Sequence, residues 1–185
     1  MSTVSLACGA GLEATNIPDS QLAQQVTEFI RDPESEFLFN HSSRVYSFAA
    51  LAGYLRGLKF DCELLYSAAM CHDIGLVPAH SSAAERFEVD GANAARDFLR
   101  QRGIVASEID HVWTAIALHT TPGIPQHMHP VVALVTAGVE MDVLGIGYGD
   151  VEEDTRKAYR RPVSAHATLQ GRHSAGLLRR NQTQA

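Results

Sequence analysis

The sequence predicts an all-α protein, and three observations carry that prediction. Apolar residues recur at three- and four-residue intervals in successive segments between Leu22 and Met141. No stretch of useful length alternates apolar and polar residues in the period-two manner of a strand. Helix-ending residues close the periodic segments, as at Asp32-Pro33, Gly57 and Gly103.

Taken in order, residues 1–16 read as a loose leader punctuated by Gly9, Gly11 and Thr15, and order is expected from about Pro18. Asp19 or Ser20 is placed to cap a first helix carrying Leu22, Val26, Phe29 and Ile30, which Asp32-Pro33 ends. A second helix is predicted from Glu36 to Leu58, with Phe37, Phe39, Val45, Phe48, Leu51 and Leu55 on a broad apolar stripe and His41 inside it. The third runs from about Cys62 to His72, where Ala68 and Ala69 permit close packing.

Polar residues from Val77 to Ala84 read as a loop and a candidate rim or lid. An alanine-rich fourth helix is predicted over Ala83 to Arg102, burying Phe87, Ala94, Ala95, Phe98 and Leu99. Ser107 followed by Asp110 resembles the start of a fifth, which continues through Ile109, Val112, Trp113 and Ile116 to His119. Thr120 to Pro125 is a loop by composition. Pro130 then opens a sixth helix, which leads through Leu134, Val135 and Met141 to Asp142 before Gly145, Gly147 and Gly149. Val151 to Arg161 is charged and amphipathic, and the residues after Pro162 read as a loose tail. The division is thus a leader (1–16), one domain (17–161) and a tail (162–185).

A chain of 185 residues is long enough to bury a sizeable single core. Its formal net charge of -6 leaves no basic footprint, which disfavours nucleic acid as a primary partner. The three cysteines, Cys8, Cys62 and Cys71, are unpatterned, which suits a reduced interior. Val4 to Leu12 is apolar but short and lacks a preceding base, so it makes a poor signal peptide. No stretch reaches the roughly 18 apolar residues of a membrane span. A cytoplasmic protein acting on a small molecule is the expectation.

The segment Ser67 to Leu76 ends in an adjacent His72 and Asp73, at the last turn of a small-residue helix. Alone, that pair is a weak signal. Its company strengthens it: His41, His119 and Asp142 stand on three other predicted helices. Imidazoles and carboxylates delivered by several helices to one point suit a divalent cation with positions left open for water. Such donors admit Zn, Mn, Fe, Ni or Co, with zinc the first expectation, and argue against a thiolate site. Cys71 points about 100° away from His72 on a helix and is read as packing.

His41, then His72-Asp73, then Asp142 resembles the ligand pattern of the HD-domain superfamily of metal-dependent hydrolases, over about residues 25–145. The resemblance implies an all-α HD-domain helical bundle in which those four residues hold the metal. Leu76 stands where the two-metal phosphodiesterase branch has a Lys, Phe87 where it has its first extra His, and Thr120 follows His119; one metal is therefore expected. The Glu that the small nucleotidase branch carries after its HD pair is missing, with Glu85 or Glu88 as substitutes.

Asn40 to Tyr46, Arg86 to Ala92 and Ala117 to Thr120 look like the cyanamide-hydratase-like group, which implies addition of water to a nitrile-like molecule such as cyanamide. In that reading Asp73 or Asp142 shuttles a proton, His119 positions substrate or donates to it, and Arg44, Arg86, Phe87 and Glu88 contact substrate. Two alternatives stand beside it. One is hydrolysis of a nucleotide or other phosphomonoester, with Arg44 and Arg86 as clamps; the other is a non-catalytic module that binds a metal and a ligand. A homodimer is also expected, because apolar helices of this class pair.

Overall fold

The computed structural model describes residues 16–147, 149 and 151. Residues 1–15 of the leader expected over 1–16, and the helix and tail expected beyond residue 151, lie outside the described residues. Six α-helices follow one another: α1 (Gln21–Arg31), α2 (Glu36–Leu55), α3 (Cys62–Cys71), α4 (Phe87–Gln101), α5 (Ala106–Leu118) and α6 (Pro130–Val139). A 3-10 turn, Ile74–Leu76, follows α3, a second, Pro125–His127, precedes α6, and a π-helical turn, Glu140–Leu144, continues α6. No strand occurs among the described residues, and none of their helices is long and apolar enough to cross a membrane.

Local chemistry accounts for most of these bounds. The Ser20 hydroxyl accepts from the Ala23 amide at the start of α1, and the Ser35 hydroxyl accepts from Leu38 at the start of α2. Asp61 Oδ1 accepts from both Glu63 and Leu64, which nucleates α3. Helix α2 stops at Leu55, three residues before the expected end, because the chain turns through Gly57 at a φ of 62°. Helix α4 begins at Phe87 rather than Ala83. Asp90 accepts from the Ser82 amide and hydroxyl, so the intervening residues wrap the helix start as an irregular, exposed loop. Helix α5 is capped by no side chain, and Ser107 lies inside it.

Helix α3 sits at the centre. It packs against α1, α2, α4, α5 and α6, and every residue from Leu64 to Cys71 is buried. Leu65 and Met70 are wholly enclosed, a burial that contributes about 1.5–3 kcal/mol for each such side chain. Two glycines set the spacing around it. A Cβ on Gly75 would overlap the Phe87 carbonyl oxygen and come within 2.8 Å of the Gly91 amide, so only glycine lets the turn after α3 lie against α4. On Gly138 the same atom would overlap the Val45 carbonyl oxygen, where α6 crosses α2. Phe37, expected on the buried stripe of α2, is 79% exposed in the helix's first turn.

Candidate metal centre

Four elements deliver the site. Helix α2 carries His41 one and a half turns inside its start; α3 ends at His72 as its cap; Asp73 opens the 3-10 turn; and His119 caps the end of α5. His41 and Asp73 are each 9% exposed, while His72 and His119 are almost fully enclosed. His41 Nε2 lies 3.2 Å from His72 Nε2 and 3.6 Å from Asp73 Oδ2, and His72 Nε2 lies 3.3 Å from that oxygen. On the other side of the same carboxylate, His119 Nε2 stands 3.5 Å from Oδ1.

The atoms behind the rings fix which nitrogen holds the proton. His72 Nδ1 is 2.7 Å from the Ala69 carbonyl oxygen and His119 Nδ1 is 2.7 Å from that of Ile116. A carbonyl only accepts, so both Nδ1 atoms donate and both Nε2 atoms keep a lone pair. His41 Nδ1 faces Asp142 Oδ2 at 2.6 Å and donates to it in the same way. Burial pushes the His72 pKa below its ordinary value, which keeps this ring neutral.

Three lone-pair donors therefore converge with no proton between them, an arrangement that a cation satisfies. Their spacing fits as well. A tetrahedron built on bonds of about 2.0–2.1 Å has edges of about 3.3–3.4 Å, and the three observed separations bracket that length. Among the described residues, His41, His72 and Asp73 are the group of possible ligands whose donor atoms all lie within 4.8 Å of one another.

Asp142, expected as a fourth ligand, is placed differently. The π-helical turn sets it on the far side of the His41 ring, against Nδ1, where Arg44 Nε and Nη2 also grip both its oxygens at 2.8 and 2.9 Å. Burial would raise this carboxyl; the hydrogen bonds from His41 and Arg44 win and lower its pKa to about 2. Asp142 thus fixes the orientation and tautomer of the His41 ring from behind. Arg44, expected as a substrate clamp, is committed to this pair.

Glu88 is also enclosed. It accepts from Arg86 Nη2 at 2.6 Å and from the Thr120 hydroxyl at 2.6 Å, tying the start of α4 to the residue after His119. The Arg86 side chain is itself mostly exposed. The Phe87 ring meets the His119 ring edge-on at 5.7 Å and forms a wall of the site. Cys71 is buried beneath the centre with its thiol pKa pushed up by burial, and takes no part in the donor set.

One residue was invisible to sequence reasoning. Glu34, in the link between α1 and α2, is 7% exposed, and neither of its buried carboxylate oxygens has a hydrogen-bond partner. Following Asp32-Pro33, it reads in the sequence as an ordinary surface turn residue.

A family model for the HD domain matches residues 38–162, a span that takes in His41, His72, Asp73, His119 and Asp142. No curated protein matches the chain.

Proposed function

The chain belongs to the HD-domain family, and from that premise we propose that it is a metal-dependent hydrolase or hydratase that directs an activated water at a small, uncharged molecule. The carrying observation is the proton-free convergence of His41 Nε2, His72 Nε2 and Asp73 Oδ2. These three residues would hold one divalent cation, zinc first among the candidates. A cation bound by such ligands supplies Lewis acidity and brings the pKa of a water to about 7. The protein's own groups do the rest: Asp142 and the Ala69 carbonyl hold the two imidazoles in the tautomer that presents Nε2, and Asp73 contributes the negative charge. His119, its Nδ1 proton committed to Ile116, bounds the reacting space beside Asp73 together with Phe87.

Within this reading a nitrile-like substrate such as cyanamide comes first. Arg44 and Arg86 are both engaged by carboxylates, which removes the two bases that a phosphate would need. Limited exposure of His41 and Asp73 also favours a compact substrate. The second reading is phosphomonoester hydrolysis, the reaction general among HD domains. It requires Arg86, whose guanidinium is at the surface, to leave Glu88 and swing over the centre.

Purified chain loaded in turn with zinc, manganese, iron and nickel separates these readings. Urea released from cyanamide supports the first; phosphate released from a panel of nucleotides supports the second. Stoichiometric metal with neither product rejects both and leaves a metal- and ligand-binding module.

A further inference from the structure

Phe87 and His119 form one side of the reacting space, and the residues next to each of them are bonded together. Their rings meet edge-on with centroids 5.7 Å apart, and His119 Nε2 stands 3.5 Å from Asp73 Oδ1, so the pair lies directly against the proposed cation centre. Phe87 is the first residue of α4, and no side chain caps that helix. Nothing local therefore sets where the Phe87 ring stands.

Three contacts fix it. The Phe87 backbone rests on Gly75, two residues beyond Asp73, so closely that a Cβ there would overlap the Phe87 carbonyl oxygen. Arg86 and Glu88, on either side of Phe87, are paired, with Nη2 at 2.6 Å from Glu88 Oε1 and Nε at 3.2 Å from Oε2. The hydroxyl of Thr120, the residue after His119, donates to the same Oε1 at 2.6 Å. The Arg86 side chain is largely in solvent, which weakens its share. Glu88 is 2% exposed, so the Thr120 bond is made to an enclosed carboxylate and is the stronger tie. It joins the neighbours of Phe87 and His119 and so holds the two rings together.

We propose that Phe87 limits the girth of the substrate, and that Glu88 and Thr120 are positioning residues that hold its ring at that setting. The proposal rests on the reading of the site as a metal-dependent hydratase or hydrolase, and it narrows the substrate class to slim, unbranched molecules. A nitrile group is linear, so its carbon and nitrogen pass the ring edge in line. Cyanamide carries only hydrogens on its amino nitrogen and clears the wall, whereas N,N-dimethylcyanamide presents two methyl groups to it. A methyl that a fixed wall rejects lowers kcat/KM about 10–200-fold.

The zinc-loaded full chain is assayed with cyanamide and N,N-dimethylcyanamide, and with methyl phosphate and phenyl phosphate for the ester chemistry, as wild type, Phe87→Ala, Glu88→Gln, Thr120→Val and Thr120→Ser. The preference of wild type for the slimmer compound is expected to fall about tenfold or more in Phe87→Ala, Glu88→Gln and Thr120→Val. Thr120→Ser, which keeps the hydroxyl, is expected to retain it, and zinc affinity is expected to stay at the wild-type value throughout. A preference that Phe87→Ala leaves unchanged overturns the girth limit. In the metal-free chain, NMR is expected to show Overhauser contacts between the Phe87 and His119 rings in wild type and Thr120→Ser, and their loss in Glu88→Gln and Thr120→Val. Contacts that survive in both of those variants overturn the positioning role, whatever reaction the chain performs. A wild type that turns over none of these compounds rejects the hydratase or hydrolase reading and the girth limit with it, while the NMR comparison still decides what holds the ring. Should Glu88→Gln fail to fold, Thr120→Val is held to the same criterion.

Discussion

Asp142→Asn probes how the ligand His41 is held. The carboxylate accepts from His41 Nδ1 at 2.6 Å and from two nitrogens of Arg44, with its side chain only 7% exposed. Folding lowers its pKa from 3.8 to about 2. At roughly 1.36 kcal/mol per pH unit, that difference corresponds to about 2 kcal/mol of stability. A carboxyl whose pKa falls on folding stabilises fully above its unfolded value, so the contribution is intact at pH 5–7. It disappears as the pH drops through about 4 to about 2. The amide also leaves Arg44 with a half-satisfied, partly buried charge, which adds to the loss. Urea unfolding of wild type and variant at a series of pH values is the assay: a gap of about 2 kcal/mol or more at pH 7 is expected to narrow steadily below pH 4. A gap under about 0.5 kcal/mol at pH 7, or one that pH leaves unchanged, would refute the reasoning. Zinc affinity adds a second reading, since an orienting partner is worth about 10–100-fold. Complete loss of zinc uptake would instead return Asp142 to the ligand set that the sequence suggests.

Further outcomes follow from the same geometry. Gly75→Ala, by driving a methyl into the Phe87 carbonyl, is expected to destabilise by about 3 kcal/mol in urea unfolding; a loss below 1 kcal/mol would mean the α3–α4 contact is looser than described. Thr120→Val removes a hydroxyl donated to an ionised Glu88 at 2.6 Å and is expected to cost about 1.5–3 kcal/mol, measured the same way. Zinc at a free concentration a hundredfold above its dissociation constant is expected to add about 2.7 kcal/mol to stability, so EDTA should lower the thermal midpoint; equal midpoints with and without chelator would count against a folded-state metal site.

Much of this architecture could be read from the chain beforehand. Ser20 caps α1, and Asp32-Pro33 follows its end at Arg31, as the propensities of those residues require. His41 and His72 meet because α2 packs against α3, and Asp73 directly follows His72 in the chain. What escaped was whatever depends on side-chain orientation rather than spacing. Asp142 lies the right distance along α6, but a π-helical turn, which no residue pattern announces, decides that it faces His41 Nδ1. Arg44 shares a helix face with His41, so its spacing suits a substrate clamp; only the fold reveals that Asp142 claims it first. Glu34 escaped because burial of a turn residue is set by helices that arrive from elsewhere in the chain. The start of α4 was misplaced because Ala83 and Ala84 favour helix, whereas the bonds from Ser82 to Asp90 hold them outside it.

The most direct measurement is crystallography of the zinc-loaded chain with anomalous scattering at the zinc edge. A single cation is expected at about 2.0–2.2 Å from His41 Nε2, His72 Nε2 and Asp73 Oδ2, with solvent completing its coordination. A cation bound elsewhere, or one that leaves any of these three atoms uncoordinated, would contradict the account.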